Sequence, residues 1–107
     1  MIKQTPDMEK ILAAITQISD HAMFSGLTTV YSKACGFRML VRNHWTANGM
    51  VFKFYCDVKK LQMNGSFEKC PFSIMTCKIG NSPTFQILSF VPEHSHELSP
   101  QTNATQY

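Results

Sequence analysis

The sequence predicts an α+β domain, in which one or two helices precede an antiparallel sheet and the later strands carry a candidate set of metal ligands. Three observations carry this prediction. Apolar residues recur at helical spacing before residue 35 and alternate with other residues after it. An Asn-Gly turn at residues 48–49 and a Gly-Asn-Ser-Pro turn at residues 80–83 separate short strands. Two cysteines and a His-x-His pair follow in the order Cys56, Cys70, His94, His96.

Length and composition describe one folded domain. The 107 residues suffice for a single core, and 44% of them are hydrophobic, which is typical of a folded rather than a disordered chain. No apolar stretch approaches the about 18 residues of a membrane span, and the N-terminus lacks the order of a signal peptide. Without export, the four cysteines are expected to be reduced thiols or metal ligands.

The first predicted helix runs from Thr5, as the N-cap, to about Ile18. Pro6 suits the first helical position, and an apolar stripe follows at helical spacing. Its members are Met8, Ile11, Leu12, Ile15 and Ile18. We expect the helix to pack on the domain, with a partner chain or a homodimer contact through Met8–Ile18 as the alternative. Residues 1–24 are assigned to an N-terminal helical extension.

A second short helix is predicted from Ser25, as its N-cap, to Gly36, whose freedom to adopt a left-handed conformation suits a helix end. Cys35, at that end, is expected to be a core residue. Residues 37–42 and 50–56 then form two strands of a hairpin, and residues 43–49 form its turn.

The rest of the chain is predicted to hold a loop and two more strands. Residues 57–69 are polar and indicate a flexible loop, whereas residues 72–78 and 84–91 indicate a third and a fourth strand. Pro92 and Glu93 turn the chain into the His-x-His pair. Residues 99–107 are expected to be a disordered tail.

The cysteine and histidine pattern is one of the ligand sets of structural zinc sites, with a chance occurrence of four scattered residues as the alternative. Zn²⁺ takes thiolate and imidazole ligands in a closed tetrahedral shell. The spacing differs from that of the ββα finger, but histidines at i and i+2, such as His94 and His96, share one face of a strand. The predicted ligands therefore lie on strands and loops at the end of a sheet. Cys77 is an alternative to Cys70 as the second thiolate, although its place on a strand favours a buried structural role.

The positive charge is concentrated in one segment. The chain has a net charge of +3, and residues 33–60 carry six basic residues against Asp57 alone. Such local clustering is the pattern expected for a polyanion partner. The six are Lys33, Arg38, Arg42, Lys53, Lys59 and Lys60.

Four stretches resemble the far-red-impaired-response type DNA-binding domain. They are Tyr31-Ser-Lys-Ala-Cys-Gly-Phe-Arg38, Phe54-Tyr-Cys56, Cys70-Pro71 and Pro92-Glu-His-Ser-His-Glu-Leu98. This family belongs with the WRKY, glial-cells-missing, FLYWCH and Mutator-like transposase zinc fingers. The resemblance covers about residues 25–98, which are assigned to a WRKY-like zinc-finger DNA-binding domain. It implies a four- to five-stranded antiparallel sheet with one zinc ion held at its end by Cys56, Cys70, His94 and His96.

The resemblance also implies sequence-specific binding of double-stranded DNA by a basic strand in the major groove. It assigns Arg38 and Arg42 to that strand, since arginine binds guanine bidentately. Asn43 and His44 are assigned to base contacts from the strand end. The lysines are assigned to phosphate contacts, which set the register: Lys33, Lys53, Lys59 and Lys60. A nuclear transcription regulator or a transposase-derived DNA-binding module is the expected protein.

An alternative function is a zinc-stabilised protein-interaction module with no specific DNA target. An enzyme is not expected, because four good ligands close a zinc site and a catalytic zinc needs an open position. The chain also has only seven acidic residues, with no paired-carboxylate or phosphate-loop motif. Trp45 is expected to be a core residue.

Overall fold

Two helices and a four-stranded antiparallel sheet form the body of the protein, which confirms the predicted α+β class. The computed structural model describes residues 3–47, 49–61, 63–96 and 98. Its helices are α1 (Met8–Thr16) and α2 (Phe24–Cys35), with a 3-10 turn (His21–Met23) between them. The strands are β1 (Lys3–Gln4), β2 (Met39–Thr46), β3 (Gly49–Cys56), β4 (Lys59–Leu61), β5 (Phe67–Lys69), β6 (Ser73–Cys77), β7 (Gln86–Val91) and β8 (Glu93–His94).

The main sheet has the strand order β2-β3-β6-β7, so β2 and β7 are its edges. Two small antiparallel sheets, β1-β8 and β4-β5, accompany it. Neither was predicted. The segment 57–69, predicted to be a loop, forms the β4-β5 hairpin, in which Asn64 Oδ1 accepts hydrogen bonds from the Ser66 N–H and hydroxyl. The β1-β8 pairing joins Lys3 and Gln4 to the His-x-His segment.

Helix α1 begins at Met8, so the prediction of Thr5 as its N-cap is wrong. Asp7 stands at the cap with a left-handed φ of 56° and without a side-chain cap. The Thr5 hydroxyl instead bonds to Pro92 and His94, far along the chain. Ile11 and Ile15 are fully buried in the domain's own core. Residues 3–24 therefore share one core with the sheet that follows.

Helix α2 begins one residue before Ser25, so Ser25 is inside the helix and is not its N-cap. The Asp20 carboxylate accepts a hydrogen bond from the Ala22 N–H and caps the preceding 3-10 turn. Gly36 ends the helix with a left-handed φ of 81°, as predicted. Cys35 is fully buried, and its thiol donates to the Pro6 carbonyl at 3.3 Å.

The β2-β3 hairpin is longer than predicted. Its ladder runs from Met39 opposite Cys56 to Thr46 opposite Gly49, so residues 43–46 are strand rather than turn. Residues 43–46 pair with residues 49–52 in the first half of β3. This places Trp45 near the hairpin tip, where it is 76% exposed, and the prediction of a core tryptophan is wrong.

The core lies between the helices and one face of the main sheet. Phe24 of α2 contacts the rings of Phe52, Phe54 and Phe85, with centroids 4.8–5.3 Å apart. Because side chains alternate across a strand, the residues between these point to the opposite face, which the helices do not cover. The β3 members of this open face are Val51, Lys53 and Tyr55. Residues 99–107, the predicted tail, lie outside the described residues.

Candidate metal centre

Four predicted ligands converge at one end of the main sheet. The ligand atoms of Cys56, Cys70, His94 and His96 all lie within 4.8 Å of one another. Cys56 ends β3, Cys70 follows β5, His94 ends β8 and His96 comes just after it. The β4-β5 hairpin brings the two cysteines together, because it reverses the chain between them. These four residues form a cluster that can hold a metal ion.

The spacing of the four atoms suits a tetrahedral ion. Cys56 Sγ lies 3.2 Å from His96 Nε2, and Cys70 Sγ lies 3.2 Å from His94 Nδ1. Zinc bonds of about 2.3 Å to sulfur and about 2.0 Å to nitrogen give tetrahedral edges of about 3.3–3.8 Å. Small shifts would bring the cluster to that shape. The two histidines approach the centre through different ring nitrogens.

The cluster is largely shielded from water. His94 is fully buried, Cys56 and Cys70 are less than a tenth exposed, and His96 is half-buried. The His94 ring lies against Phe37 and Phe72, with centroids 4.3 and 4.8 Å away. Buried polar groups need partners. A metal ion at this point would engage four ligand atoms at once.

The pKa shifts of Cys56 and His94 fit a site in which a bound cation displaces the thiol proton and uses the neutral imidazole. Burial raises the pKa of the Cys56 thiol to about 12, and nearby Cys70 adds to the effect, while a backbone hydrogen bond at Val58 opposes it. Burial and, to a smaller extent, the neighbouring His96 lower the pKa of His94 to about 4. Without a cation the thiol is therefore protonated and the His94 imidazole is neutral at pH 7. A bound dication favours the thiolate and uses the imidazole lone pair.

Sequence reasoning missed one residue of this site, Thr5. Its hydroxyl donates to the Pro92 carbonyl at 2.6 Å and lies 2.8 Å from His94 Nε2. Thr5 is 5% exposed. A threonine before Pro-Asp has the local pattern of a helix cap, and its true partners are almost ninety residues away. No local pattern could have indicated this contact.

Cys77 and Cys35 lie outside the ligand cluster. Cys77 is opposite Val51 and Gln86, at the end of β6 away from the cysteine pair. It is 6% exposed, in agreement with a buried structural role. Cys35 faces Pro6, and burial, assisted by Asp7, raises its pKa to about 11. Among the described residues, Cys70 rather than Cys77 completes the set.

The predicted DNA contacts fall into separate groups. Arg42 and Lys53 are directly opposite each other in the β2-β3 ladder, on the open face of the sheet. The Arg42 guanidinium lies 5.4 Å from the centre of the Tyr55 ring. These three residues, together with Lys69 and Asp57, line a cleft of about 630 Å³ that reaches Cys56 and Cys70.

Arg38 precedes β2 and is not part of the strand. Its guanidinium forms an ion pair with Asp57 at 3.4 Å, and it lines a second cleft together with Lys33. His44 lies opposite Val51 on the open face. Asn43 is opposite Phe52, so it points to the other face and away from Arg42. Lys59 and Lys60 belong to β4, and their side chains lie outside the described part of the structure.

Comparison with protein-family models, curated proteins and solved structures gives no match to this chain. No helix in the described ranges is both long and apolar enough to cross a membrane.

Proposed function

We propose that this protein is a zinc-stabilised domain that binds double-stranded DNA through the β2-β3 hairpin, as a member of the WRKY-like zinc-finger superfamily. The observation that carries the proposal is the pairing of Arg42 with Lys53. Two cations directly opposite each other repel, so the pair destabilises the free protein. Neither forms an ion pair with a carboxylate among the residues described. A polyanion relieves this repulsion.

Zinc is the metal that this donor set suits best. Two thiolates and two imidazoles in tetrahedral arrangement are typical of structural zinc. Four protein ligands leave no position for a substrate or an activated water, so the proposed role of the metal is structural and not catalytic. The metal supplies folding free energy and ties the ends of β3 and β8 together.

The position of β2 at the sheet edge supports entry into a DNA groove. The outer side of β2 has no strand neighbour in the main sheet, and the major groove admits a two-stranded β-ribbon. In this arrangement Arg42 contacts base edges while Lys53 contacts a phosphate. The other proposed phosphate contacts are Lys33, Lys59 and Lys60. DNA phosphates compete with the Asp57 carboxylate for the Arg38 guanidinium. Once it is released from Asp57, Arg38 also contacts base edges.

The cellular role that follows is that of a nuclear transcription regulator or a transposase-derived DNA-binding module. Readout of bases by Arg42 gives the specificity that either role needs. Phosphate contacts alone give binding without sequence preference.

The test is a fluorescence-anisotropy titration of the zinc-loaded protein against a pool of random duplexes and against duplexes selected from that pool. We expect binding that weakens steeply with salt. Arg42→Ala and Arg38→Ala should lose discrimination between selected and random duplexes, whereas Lys59→Ala should weaken both about equally. Lys10→Ala, on α1 and away from the hairpin, is the control. Equal binding of all duplexes by the unmodified protein would refute sequence-specific readout.

A protein-interaction module is the second candidate, because one end of the open face is apolar. Ile79 and Leu88 are 51% and 48% exposed. Ile79 and Leu88 line a cavity of about 520 Å³ with Val51 and Met75. Exposed apolar patches mark interaction sites in soluble proteins. Absence of any DNA binding at low salt would favour this module.

A further inference from the structure

The two ring nitrogens of His94 have different neighbours. Nδ1 faces the metal cluster, 3.2 Å from Cys70 Sγ. Nε2 faces the Thr5 hydroxyl at 2.8 Å. His94 is 0% exposed and Thr5 is 5% exposed. Water therefore has little access to either nitrogen, and protein groups decide which of them carries the proton.

The hydrogen-bond count around Thr5 determines the tautomer. A hydroxyl group has one proton to donate, and the Thr5 hydroxyl donates it to the Pro92 carbonyl at 2.6 Å. A carbonyl oxygen cannot donate in return. The Thr5 oxygen therefore accepts the second hydrogen bond, and its donor is the N–H at Nε2 of His94. The neutral imidazole then has its lone pair on Nδ1, the atom that faces the cysteines.

The opposite tautomer forms fewer hydrogen bonds. With the proton on Nδ1, the lone pairs of Nε2 and the Thr5 oxygen would meet at 2.8 Å. The hydroxyl would have to turn away from Pro92 and donate to Nε2. One hydrogen bond would then replace two, in an environment where buried polar groups need partners. The Nδ1 proton would also point at the metal position.

We infer that Thr5 is a positioning residue that holds His94 in the tautomer and orientation that bind a metal ion through Nδ1. This inference rests on the proposed metal centre and assigns it a residue outside the ligand set. Partners on the second nitrogen of metal-bound histidines fix the tautomer and make the ligand more basic. In this protein a hydroxyl group, backed by a carbonyl group, has that role.

The β1-β8 pairing holds Thr5 in place. Lys3 pairs with His94 and Gln4 pairs with Glu93, and the Thr5 N–H donates to the Pro92 carbonyl at 2.9 Å. Metal binding through His94 therefore stabilises the docking of the N-terminal segment, and this docking strengthens metal binding. Residues 3–5 therefore belong to the surroundings of the metal centre.

The test compares zinc affinity in three variants of the full chain, measured by competition with a chromophoric chelator. Thr5→Val keeps the shape of the side chain and removes the hydroxyl, and Thr5→Ser keeps the hydroxyl. Thr28→Val is the matched control, since Thr28 is 8% exposed and its hydroxyl donates to the Ser25 carbonyl within α2. We expect Thr5→Val to weaken zinc binding by about 10- to 100-fold. Thr5→Ser and Thr28→Val should bind zinc about as tightly as the unmodified protein.

A second readout reports the tautomer directly. Long-range proton–nitrogen NMR spectra of the zinc-loaded protein should show a protonated Nε2 and a metal-bound Nδ1 at His94. In Thr5→Val the Nε2 proton should exchange with water faster than in the unmodified protein. Zinc bound through Nε2 of His94 would overturn the inference.

Three affinity outcomes separate this inference from the metal assignment. Unchanged zinc affinity in Thr5→Val refutes the role of Thr5 and leaves the metal centre intact. Equal losses in Thr5→Val and Thr28→Val refute it as well, since they would reflect general destabilisation. An unmodified protein that binds no zinc refutes both the metal centre and the role of Thr5. DNA binding is not a readout, so its absence does not affect the result.

Discussion

The imidazole of His94 stacks on the ring of Phe72, with centroids 4.8 Å apart and an angle of 9° between the planes. Phe37 lies across both rings, with its centroid 4.3 Å from that of His94 and 4.8 Å from that of Phe72. Among the described residues, aromatic side chains of the hydrophobic core therefore contact His94 of the candidate metal centre directly. Because the hydrophobic core and the ligand cluster share side-chain contacts, loss of a bound metal ion should affect the core as well as the ligand loops.

Removal of the metal ion should destabilise the whole domain. We expect a chelator to lower the melting temperature of the zinc-loaded protein substantially, because the binding free energy of a structural zinc contributes directly to folding. Native mass spectrometry should find one zinc ion per chain. Cys56→Ser and His96→Ala should lose it, and Cys77→Ser should keep it. A Cys77→Ser variant without zinc would mean that the ligand set is wrong.

Replacement of Lys53 should stabilise the protein and weaken DNA binding at the same time. Lys53→Gln removes the repulsion with Arg42 across the ladder, so the free energy of unfolding should rise by about 0.2–1 kcal/mol. Loss of one phosphate contact should reduce the salt dependence of DNA binding by a slope of about 0.9. Urea unfolding and anisotropy titrations measure the two effects. A variant less stable than the unmodified protein would contradict the repulsion argument, and Lys10→Gln serves as the control.

Release of Arg38 should strengthen DNA binding. Arg38 is partly neutralised by Asp57 at 3.4 Å, in an ion pair whose side chains are 55% and 34% exposed. Asp57→Asn removes that carboxylate, so affinity at low salt should increase. Stability should fall by no more than about 1 kcal/mol, because exposed ion pairs contribute little. The double variant with Arg38→Ala should lose the gain in affinity. A gain that persists in the double variant would show that Arg38 does not contact DNA.

The Cys35 thiol should be inert at neutral pH. Burial and Asp7 raise its pKa to about 11, so almost no thiolate is present to react with iodoacetamide. Mass spectrometry should find Cys35 labelled only after unfolding. Labelling in the native state at pH 7 would contradict its burial.

The same shift predicts a pH dependence of stability. The unfolded thiol ionises before the folded one, so the Cys35 contribution is fully present below the usual thiol pKa of about 8.5 and is lost as the pH rises towards about 11. The free energy of unfolding, measured with urea between pH 8 and pH 11, should therefore fall less steeply with pH in Cys35→Ala than in the unmodified protein. Cys77→Ala is the control for a buried cysteine at another position. Identical slopes in Cys35→Ala and the unmodified protein would contradict the shift.

Local patterns in the sequence determined the class of the fold and the ligand set. The apolar stripe of α1 and the alternation in β2 and β3 are repeats of a few residues, and these periods follow directly from helix and strand geometry. Gly36 marked the end of α2 for a local reason, because only its own backbone conformation was at issue. The four cysteine and histidine residues of the candidate metal centre were singled out by their chemistry together with the family resemblance, since few residue types bind metal ions.

Tertiary structure alone decided where the polar groups near the site bond. Thr5 has the local pattern of a helix cap, but its hydroxyl is hydrogen-bonded to His94. Arg38 has the pattern of a strand residue, but it precedes the strand and forms an ion pair with Asp57. The exposure of Trp45 depended on how far the hairpin ladder extends beyond the helices. Each outcome depends on groups that are distant in sequence and meet only when β1, β3 and β8 take their places. Short-range periodicity carries no information about such long-range contacts, because packing of the whole chain determines them.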